Sequence, residues 1–449
     1  MTWHSLDTWT ALTAVSAAAA CTLPGLWLVL RRHSMMGDAI AHSALLGIVA
    51  ASMTVGALQS LGIVPDSSFD LTYEVGLFVG ATLVGLLTAF LTEWLGDVGR
   101  LNPGAALGVV FSSLFALGLL LVRLYNDDKH LDADCVLFGD LSSAVLDTVG
   151  QSDVPRALVL NVVAFALNLV VTAALFKELR IASFDADHAA TLGLRPRLLH
   201  YVLLTLTSIT VVAAFESVGS ILVIALLVVP TATALLLSRS LLGTLLVSLA
   251  VAVAAGVLGH VSARTLPGIV FAGWGVRDAS TSGMVSVAAG SLFGLAWLFS
   301  PRGGLVPRAW QQLSTTIDVA AEDLLGGLWR LDERNLKPNQ AQVLDIVSRR
   351  FGTGDWLMRL ALRRLRQRGD VRLDGPEWKL TDPGRRKART LIRAHRLWEA
   401  YLAKHFALSE DQLHAGAMRA EHYLDQPLID RLQSELDTPT QDPHGRTIP

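Results

Sequence analysis

Roughly nine stretches of this chain are apolar for about the twenty residues that a helix needs to cross a ~30 Å hydrocarbon core. They lie near residues 9–30, 36–57, 75–96, 104–123, 157–177, 198–215, 218–238, 241–261 and 282–299. So many spans exclude a wholly soluble, secreted or disordered protein. Backbone N–H and C=O groups cannot be left open in lipid, so each span must close its own hydrogen bonds as a helix. Pro24 and Pro230 fall inside spans and should kink them by removing a backbone donor. The second and seventh spans are also candidates for bent or partly re-entrant segments. The leader Met1–Thr8 carries Asp7 but no Lys or Arg, so the first span reads as retained rather than as a cleaved signal.

Charge divides the 449 residues in two. Residues 1–300 hold 13 Lys/Arg and 19 Asp/Glu, whereas the remaining 149 hold 24 and 20. The net charge of −2 is too mild to point to nucleic acid. Cys21 and Cys135 are the two cysteines, too few for a disulfide framework or a zinc cluster. With the N-terminus outside, nine Lys/Arg fall in inner loops and five in outer ones, a modest excess that places the charged tail in the cytosol. No Gly-x-x-x-x-Gly-Lys motif is present, so ATP binding through a P-loop is not expected of this chain.

The second span opens with Arg31-Arg32-His33-Ser34-Met35-Met36-Gly37-Asp38-Ala39-Ile40-Ala41-His42-Ser43-Ala44-Leu45-Leu46-Gly47. Asp38 and His42 are four apart and share a helical face. An ionised group in a bilayer costs at least about 2.5–3.5 kcal/mol, so it usually has a partner or lines a pathway. A carboxylate with an imidazole is a partial site for a divalent transition metal. The plainer alternative is an Asp that caps the helix, with His42 satisfied by a backbone carbonyl. Glu216, near a span end, is a weaker candidate. His200 and His260 read as solvated at the interfaces, and the acidic loop Asn126–Asp134 as solvated or cation-attracting.

From about Gln311 the pattern is that of a soluble helical domain, with helices expected near 315–334, 340–350 and 355–368. Val371-Arg372-Leu373 and Trp378-Lys379-Leu380 flank Asp374-Gly375-Pro376-Glu377 as a hairpin, which suggests a winged helix-turn-helix. Two further helices follow, near 383–406 and 409–423. There His395 and Glu399 are i and i+4, and His414, Met418, Glu421 and His422 form one stripe. Such a set could hold a first-row metal or be a solvated polar face. The helix in the DNA-reading position, Asp355–Leu365, is apolar in its first turn, so DNA is an unlikely partner.

Residues 31–47 resemble the signature of the metal-ion ABC transporter permeases, which import manganese, zinc or iron. The resemblance continues through Pro103–Ser112, Leu131–Asp134, Phe184–Asp187 and Val218–Pro230. Leu46 departs from the proline common there. The resemblance implies a permease that carries no enzymatic chemistry and places Asp38 and His42 in the metal pathway. It also implies two cytosolic ATPase subunits, a second permease subunit (homodimeric or heterodimeric), an extracytoplasmic metal-binding protein and residence in the bacterial inner membrane. The loop Phe184–Gly193 would face the ATPase.

The tail, from about Asp318 to Pro449, resembles the iron- and manganese-dependent repressors of the diphtheria-toxin-repressor type. That implies one metal site from His395, Glu399 and His414, and another from Asp323, Met418, Glu421 and His422. Gly326 stands where manganese-selective members carry a glutamate. The expectation is therefore an all-α polytopic membrane domain (1–300), a linker (301–314), a winged-helix-like domain (315–382) and a helical metal-binding or dimerisation domain (383–449). The function expected is import of Mn2+, Fe2+ or Zn2+, with a tail that senses metal or aids dimerisation. The rival is a membrane-anchored, metal-responsive transcriptional regulator.

Overall fold

The computed structural model describes the chain except for residues 1–2, 62–68, 126–138, 140, 150–152, 271–278, 337–342, 344–354 and 375–376. It divides into two compact units, Met1–Leu305 and Val306–Pro449. The expected helix near 340–350 (apart from Val343), the acidic loop, and Gly375 and Pro376 of the hairpin turn lie outside the described residues.

The first unit is built from α1 (Ser5–Leu30), α2 (Ser34–Ser60), α3 (Phe69–Gly99), α4 (Pro103–Tyr125), α5 (Arg156–Ala174), two short helices α6 (Phe176–Phe184) and α7 (Ala186–Thr191), and then α8 (Pro196–Leu237), α9 (Leu241–Val270) and α10 (Thr281–Phe299). Among the described residues, nine helical segments are long and apolar enough to cross a membrane, with α8 contributing two of them.

α1 occupies the middle of this unit because of its side chains. Its Ala17-Ala18-Ala19-Ala20 run leaves room for close helix approach, the usual basis of packing where no hydrophobic drive separates helix from lipid. Ala14, Ala17, Ala18 and Cys21 of α1 share a core with Ile40 and Ala41 of α2, Val211 and Leu226 of α8, Ala252 of α9 and Val285 of α10. Polar side chains tie the helices where they cross. Asn168 donates to the Ala20 carbonyl at 3.2 Å and to Thr210 Oγ1 at 2.7 Å. Asn161 donates to Ser217 Oγ at 3.2 Å. The outer helices instead expose leucines and valines, such as Leu117 and Leu120 of α4 and Val287 and Leu295 of α10.

The break within α8 falls at Gly219, whose φ of 73° and ψ of 163° are non-helical, and not at Pro230. An L side chain rarely adopts that conformation, and glycine meets no Cβ penalty there. Gly139 is also at positive φ and packs its backbone directly on Val218 and Gly219.

The second unit begins with α11 (Leu305–Glu333), followed by α12 (Asp355–Gln367), strands β1 (Val371–Asp374) and β2 (Glu377–Leu380), α13 (Asp382–His405), α14 (Glu410–Ala420) and α15 (Gln426–Glu435). The segment expected as a linker is helical from Leu305 onward, since nothing between Leu305 and Ser314 breaks a helix beyond its first turn. The strands pair antiparallel with Val371 opposite Leu380 and Leu373 opposite Trp378. Leu324, Leu328 and Leu331 of α11 pack with Met358, Leu362 and Leu365 of α12, Val371 and Ala388 into one core.

Gly219→Ala should lower the stability of the first unit by about 1–3 kcal/mol, the cost of holding a non-glycine residue in that region. Thermal unfolding of the purified, detergent-solubilised chain measures it, and an unchanged midpoint would mean that the break is dispensable.

Candidate metal sites

Asp38 and His42 lie in the second and third turns of α2, where Asp38 Oδ1 and His42 Nε2 are 3.1 Å apart. Both are partly exposed, at 30% and 24% of the side chain. The capping alternative fails, because His33 is the N-cap of α2 and Asp38 stands inside the helix. The His42 ring stacks near Phe111 of α4, at 6.1 Å between centroids, and meets Phe115 edge-on at 5.5 Å. An imidazole and a carboxylate thus face each other beside an aromatic wall.

His200 and His260 are not solvated as the sequence suggested. His200 packs against Glu93, with Nε2 and Oε1 2.5 Å apart. His260 is buried beside Asp7 and Thr281, 3.7 Å and 3.3 Å away. Hydropathy puts both near span ends but cannot say which way each helix face turns. Side-chain placement of Glu216 lies outside the described residues.

In the second unit the residues singled out from sequence gather into two neighbouring clusters. In the first, His395 Nε2 is 3.1 Å from Glu399 Oε1, and His414 Nδ1 is 2.8 Å from the same oxygen. The two imidazoles face each other at 3.2 Å. In the second, His422 Nε2 is 3.1 Å from Asp323 Oδ1 and 3.8 Å from Glu421 Oε1. Glu421 also hydrogen-bonds His395 Nδ1, so the clusters touch. Each offers three ligand atoms close enough to surround one ion. Met418 is half-buried on α14, one turn before His422.

Two residues that sequence reasoning did not single out sit at these clusters. Glu322 Oε2 accepts from His422 Nδ1 at 2.7 Å when the ring is protonated, so a carboxylate next to Asp323 joins the second cluster. Gly326, buried under Leu391 and Ile392, leaves no carboxylate at its position. His444 Nε2 lies 3.9 Å from Glu399, brought there by the C-terminal segment. That segment is held by Arg396, which donates to the Thr447 carbonyl at 2.5 Å and pairs with Glu333 at 2.8 Å. An adjacent Glu-Asp pair was the signal for Glu322; for His444 it was the ending Asp442–Pro449, which lies within the stretch that resembles the repressors.

Electrostatics follow from this crowding. Burial alone would disfavour a charged His422, but Asp323 and then Glu322 hold its imidazolium and push its pKa up to about 10. Burial likewise opposes charge on His395, yet Glu399 and Glu421 outweigh it and raise its pKa. Burial would raise Glu399, but His395 and then His414 hold it down at about 2. A metal entering either cluster must therefore displace protons.

α12 turns its exposed Trp356 outward, while Arg364 and Arg368 bond Asp318 of α11 at 3.0 Å and 2.8 Å. Arg364 and Arg368 are thus paired within the unit.

Comparison with known proteins follows the same division. The model of the ABC 3 transport family matches residues 5–272, and that of the iron dependent repressor, metal binding and dimerisation domain matches residues 381–449. The manganese transport system membrane protein MntD of Bacillus subtilis is 37% identical over 69% of this chain and 97% of its own length. The zinc transport system membrane protein TroD of Treponema pallidum is 37% identical over 79% of this chain and 91% of its own. Among solved structures, PsaBC from Streptococcus pneumoniae in complex with Fab matches with a TM-score of 0.52 and 26% identity, over 69% of this chain and 95% of that one.

The raised His422 pKa fixes a pH dependence in the metal-free protein. His422 contributes its stabilisation in full below its unfolded value near 6.5 and loses it as pH rises toward about 10. With chelator present, amide exchange over residues 410–423, corrected for its intrinsic pH dependence, should accelerate from pH 7 to 10. His422→Gln should flatten that dependence; an equally steep rise in the variant would refute the assignment.

Proposed function

The chain belongs to the ABC 3 transport family, and from that premise we propose that it is the membrane subunit of an importer for a divalent first-row metal ion. It is a multi-pass membrane protein with a repressor-like metal binding and dimerisation domain at its C-terminus. The observation that carries the reading is the Asp38–His42 pair, two ligand-type groups in contact within a helix that carries no other titratable side chain. A divalent ion leaving water needs replacement ligands, and a carboxylate with an imidazole suits manganese, iron or zinc. Relatives named for manganese and for zinc transport support that range of cargo. One chain offers two ligands, and a second permease subunit across the pathway would offer two more.

The chain would work with two ATPase subunits that hydrolyse ATP and with an extracytoplasmic metal-binding protein. The short helices α6 and α7 suit contact with an ATPase, because they are joined at Asp185 with Phe184 exposed beside it. The arginine excess in one set of loops supports an outside N-terminus and a cytosolic tail. In the tail, His395, Glu399 and His414 would hold one regulatory ion. Asp323, Glu421 and His422, with Met418 close by and Glu322 added, would hold another. The paired Arg364 and Arg368 weigh against DNA as its partner. A domain that binds cytosolic metal in one conformation shifts that equilibrium as metal accumulates, which makes it a feedback device.

Asp38→Asn keeps shape and removes charge. It should reduce metal uptake by the reconstituted complex at least about tenfold, the scale of losing a ligand, while assembly is unaffected. Normal uptake by a well-expressed variant would sink the pathway assignment. Removal of residues 306–449 should preserve uptake and relieve its inhibition at high internal metal. If full-length and truncated transporters respond to internal metal alike, the tail is left with dimerisation alone.

A further inference from the structure

The apolar stripe of α11 extends beyond the core that it serves. In the second half of the helix Ile317, Ala320, Leu324, Leu328 and Leu331 fall on one side and pack into the core of the second unit. Val306, Trp310 and Leu313 continue that stripe toward the start of α11, at steps of four, three and then four residues to Ile317. Yet these three are exposed, at 46%, 73% and 38%. The opposite side carries Arg308, Gln311, Gln312 and Thr315, all exposed. A half-helix of this kind is suited by an apolar phase on one side and water on the other.

Chain continuity identifies that phase. α10, a helix long and apolar enough to span, ends at Phe299, and only residues 300–304 separate it from Leu305. Those residues form a closed turn. Ser300 Oγ donates to the Leu236 carbonyl at 2.6 Å, and the Gly304 N–H donates to the Ser300 carbonyl at 2.8 Å. A Cβ on Gly304 would come within 2.6 Å of Ser300 N, so the turn is too tight for a side chain there. α11 therefore starts at the end of a span and not on a loose tether. At 1.5 Å per residue, Leu313 is only about 12 Å along the helix from Leu305. The interfacial zone on each face of a bilayer is roughly 5–7 Å deep, so the whole stripe meets it only if the helix lies along the surface. Charge agrees: Arg302 and Arg308, both exposed, are the only charged residues from Pro301 to Ile317, and no carboxylate falls there to repel phosphate. Tryptophan is the residue that favours this zone, with an apolar body and one polar tip.

We propose that the first half of α11, residues 305–316, is an interfacial anchor. Val306, Trp310 and Leu313 sink into the headgroup–acyl boundary of the bilayer, while Arg302 and Arg308 reach phospholipid phosphates. The inference needs only that the chain spans a membrane, and it stands whether or not the chain carries metal. Three apolar side chains would recruit a free helix weakly. Here the covalent tie to α10 makes the binding intramolecular, and a weak surface suffices. Asp323 stands on the same helix, so the anchor ties a residue of the second metal cluster to the lipid surface.

The test places a nitroxide on single cysteines of the full chain, held in nanodiscs of three parts phosphatidylcholine to one of phosphatidylglycerol. Cys135→Ser removes the competing thiol, and Cys21 stays because it is buried. Collisions of the label with oxygen, which concentrates among acyl chains, are compared with collisions with a water-soluble nickel chelate. Val306→Cys and Leu313→Cys each leave Trp310 in place and should favour oxygen several-fold over Gln311→Cys and Thr315→Cys. All four positions are exposed, so the substitutions spare the core. Adding Trp310→Glu to Leu313→Cys should bring its oxygen preference down to that of Thr315→Cys. Nickel access at Leu313→Cys equal to that at Thr315→Cys would leave the stripe in water. A label there that neither reagent reaches would put the stripe against protein, the first unit or a second copy. Either result overturns the anchor.

Discussion

An ionisable side chain inside an apolar bundle must find a partner, because neither lipid nor alanine can solvate it. That constraint arranges the first unit. Asp7 is almost fully buried and pairs with Arg264 at 2.7 Å, with His260 beyond it. Asp38 pairs with His42, and Glu93 with His200 and Tyr201. The three arrangements differ in what they can release. Arginine stays charged at any accessible pH, so the Asp7–Arg264 pair is already neutral and has no place for a cation. An imidazole can give up its proton and offer a lone pair, so His42 beside Asp38 leaves room for an ion to replace the contact.

In the tail the same chemistry is held more rigidly. Glu399 and His395 are nearly inaccessible, and His444 of the C-terminal segment lies beside Glu399. Arg396 is the fastening: buried, it joins Glu333, Asp442 and the Thr447 carbonyl. Breaking such a buried ion pair by removing one partner typically costs about 3–5 kcal/mol, because the other charges stay buried. The bond from Arg446 N–H to Asp442 Oδ1 at 2.8 Å completes the turn that carries His444 toward Glu399. Placement of a far-off histidine thus depends on an arginine that touches no candidate ligand cluster directly.

What the sequence disclosed follows from which forces act locally. Lipid requires every span to be a long apolar helix, so the spans could be read from composition, and α1, α2 and α9 run much as expected. Asp38 with His42, and His395 with Glu399, were legible because the i, i+4 spacing fixes their meeting without any tertiary information. His200 and Glu93 come from two helices, and hydropathy does not set how those helices rotate about their axes. The same ignorance made His260 look solvated, though it lies against Asp7. Pro230 drew attention as a helix breaker, yet the dihedral break is at Gly219, where the backbone of Gly139 presses close. Close backbone approach leaves no mark in a single sequence beyond the glycines themselves.

The ligand sets also bear on how one chain could both pass an ion and measure it. Intrinsic affinity favours zinc over iron and iron over manganese at almost any such site, so neither unit selects its ion by ligand type alone. Number of ligands and burial differ between them. Asp38 and His42 supply two ligands per chain and keep 30% and 24% of their side chains exposed. Each tail cluster supplies three or more, largely shielded from solvent. Conduction needs binding weak enough to let go, whereas sensing needs an ion retained long enough to shift a conformational equilibrium. On the proposed reading, the sparse, accessible pair belongs to the pathway and the crowded, buried clusters to the sensor, and the difference in their occupancy is what would let rising internal metal act on the tail without the pathway ever holding its cargo tightly.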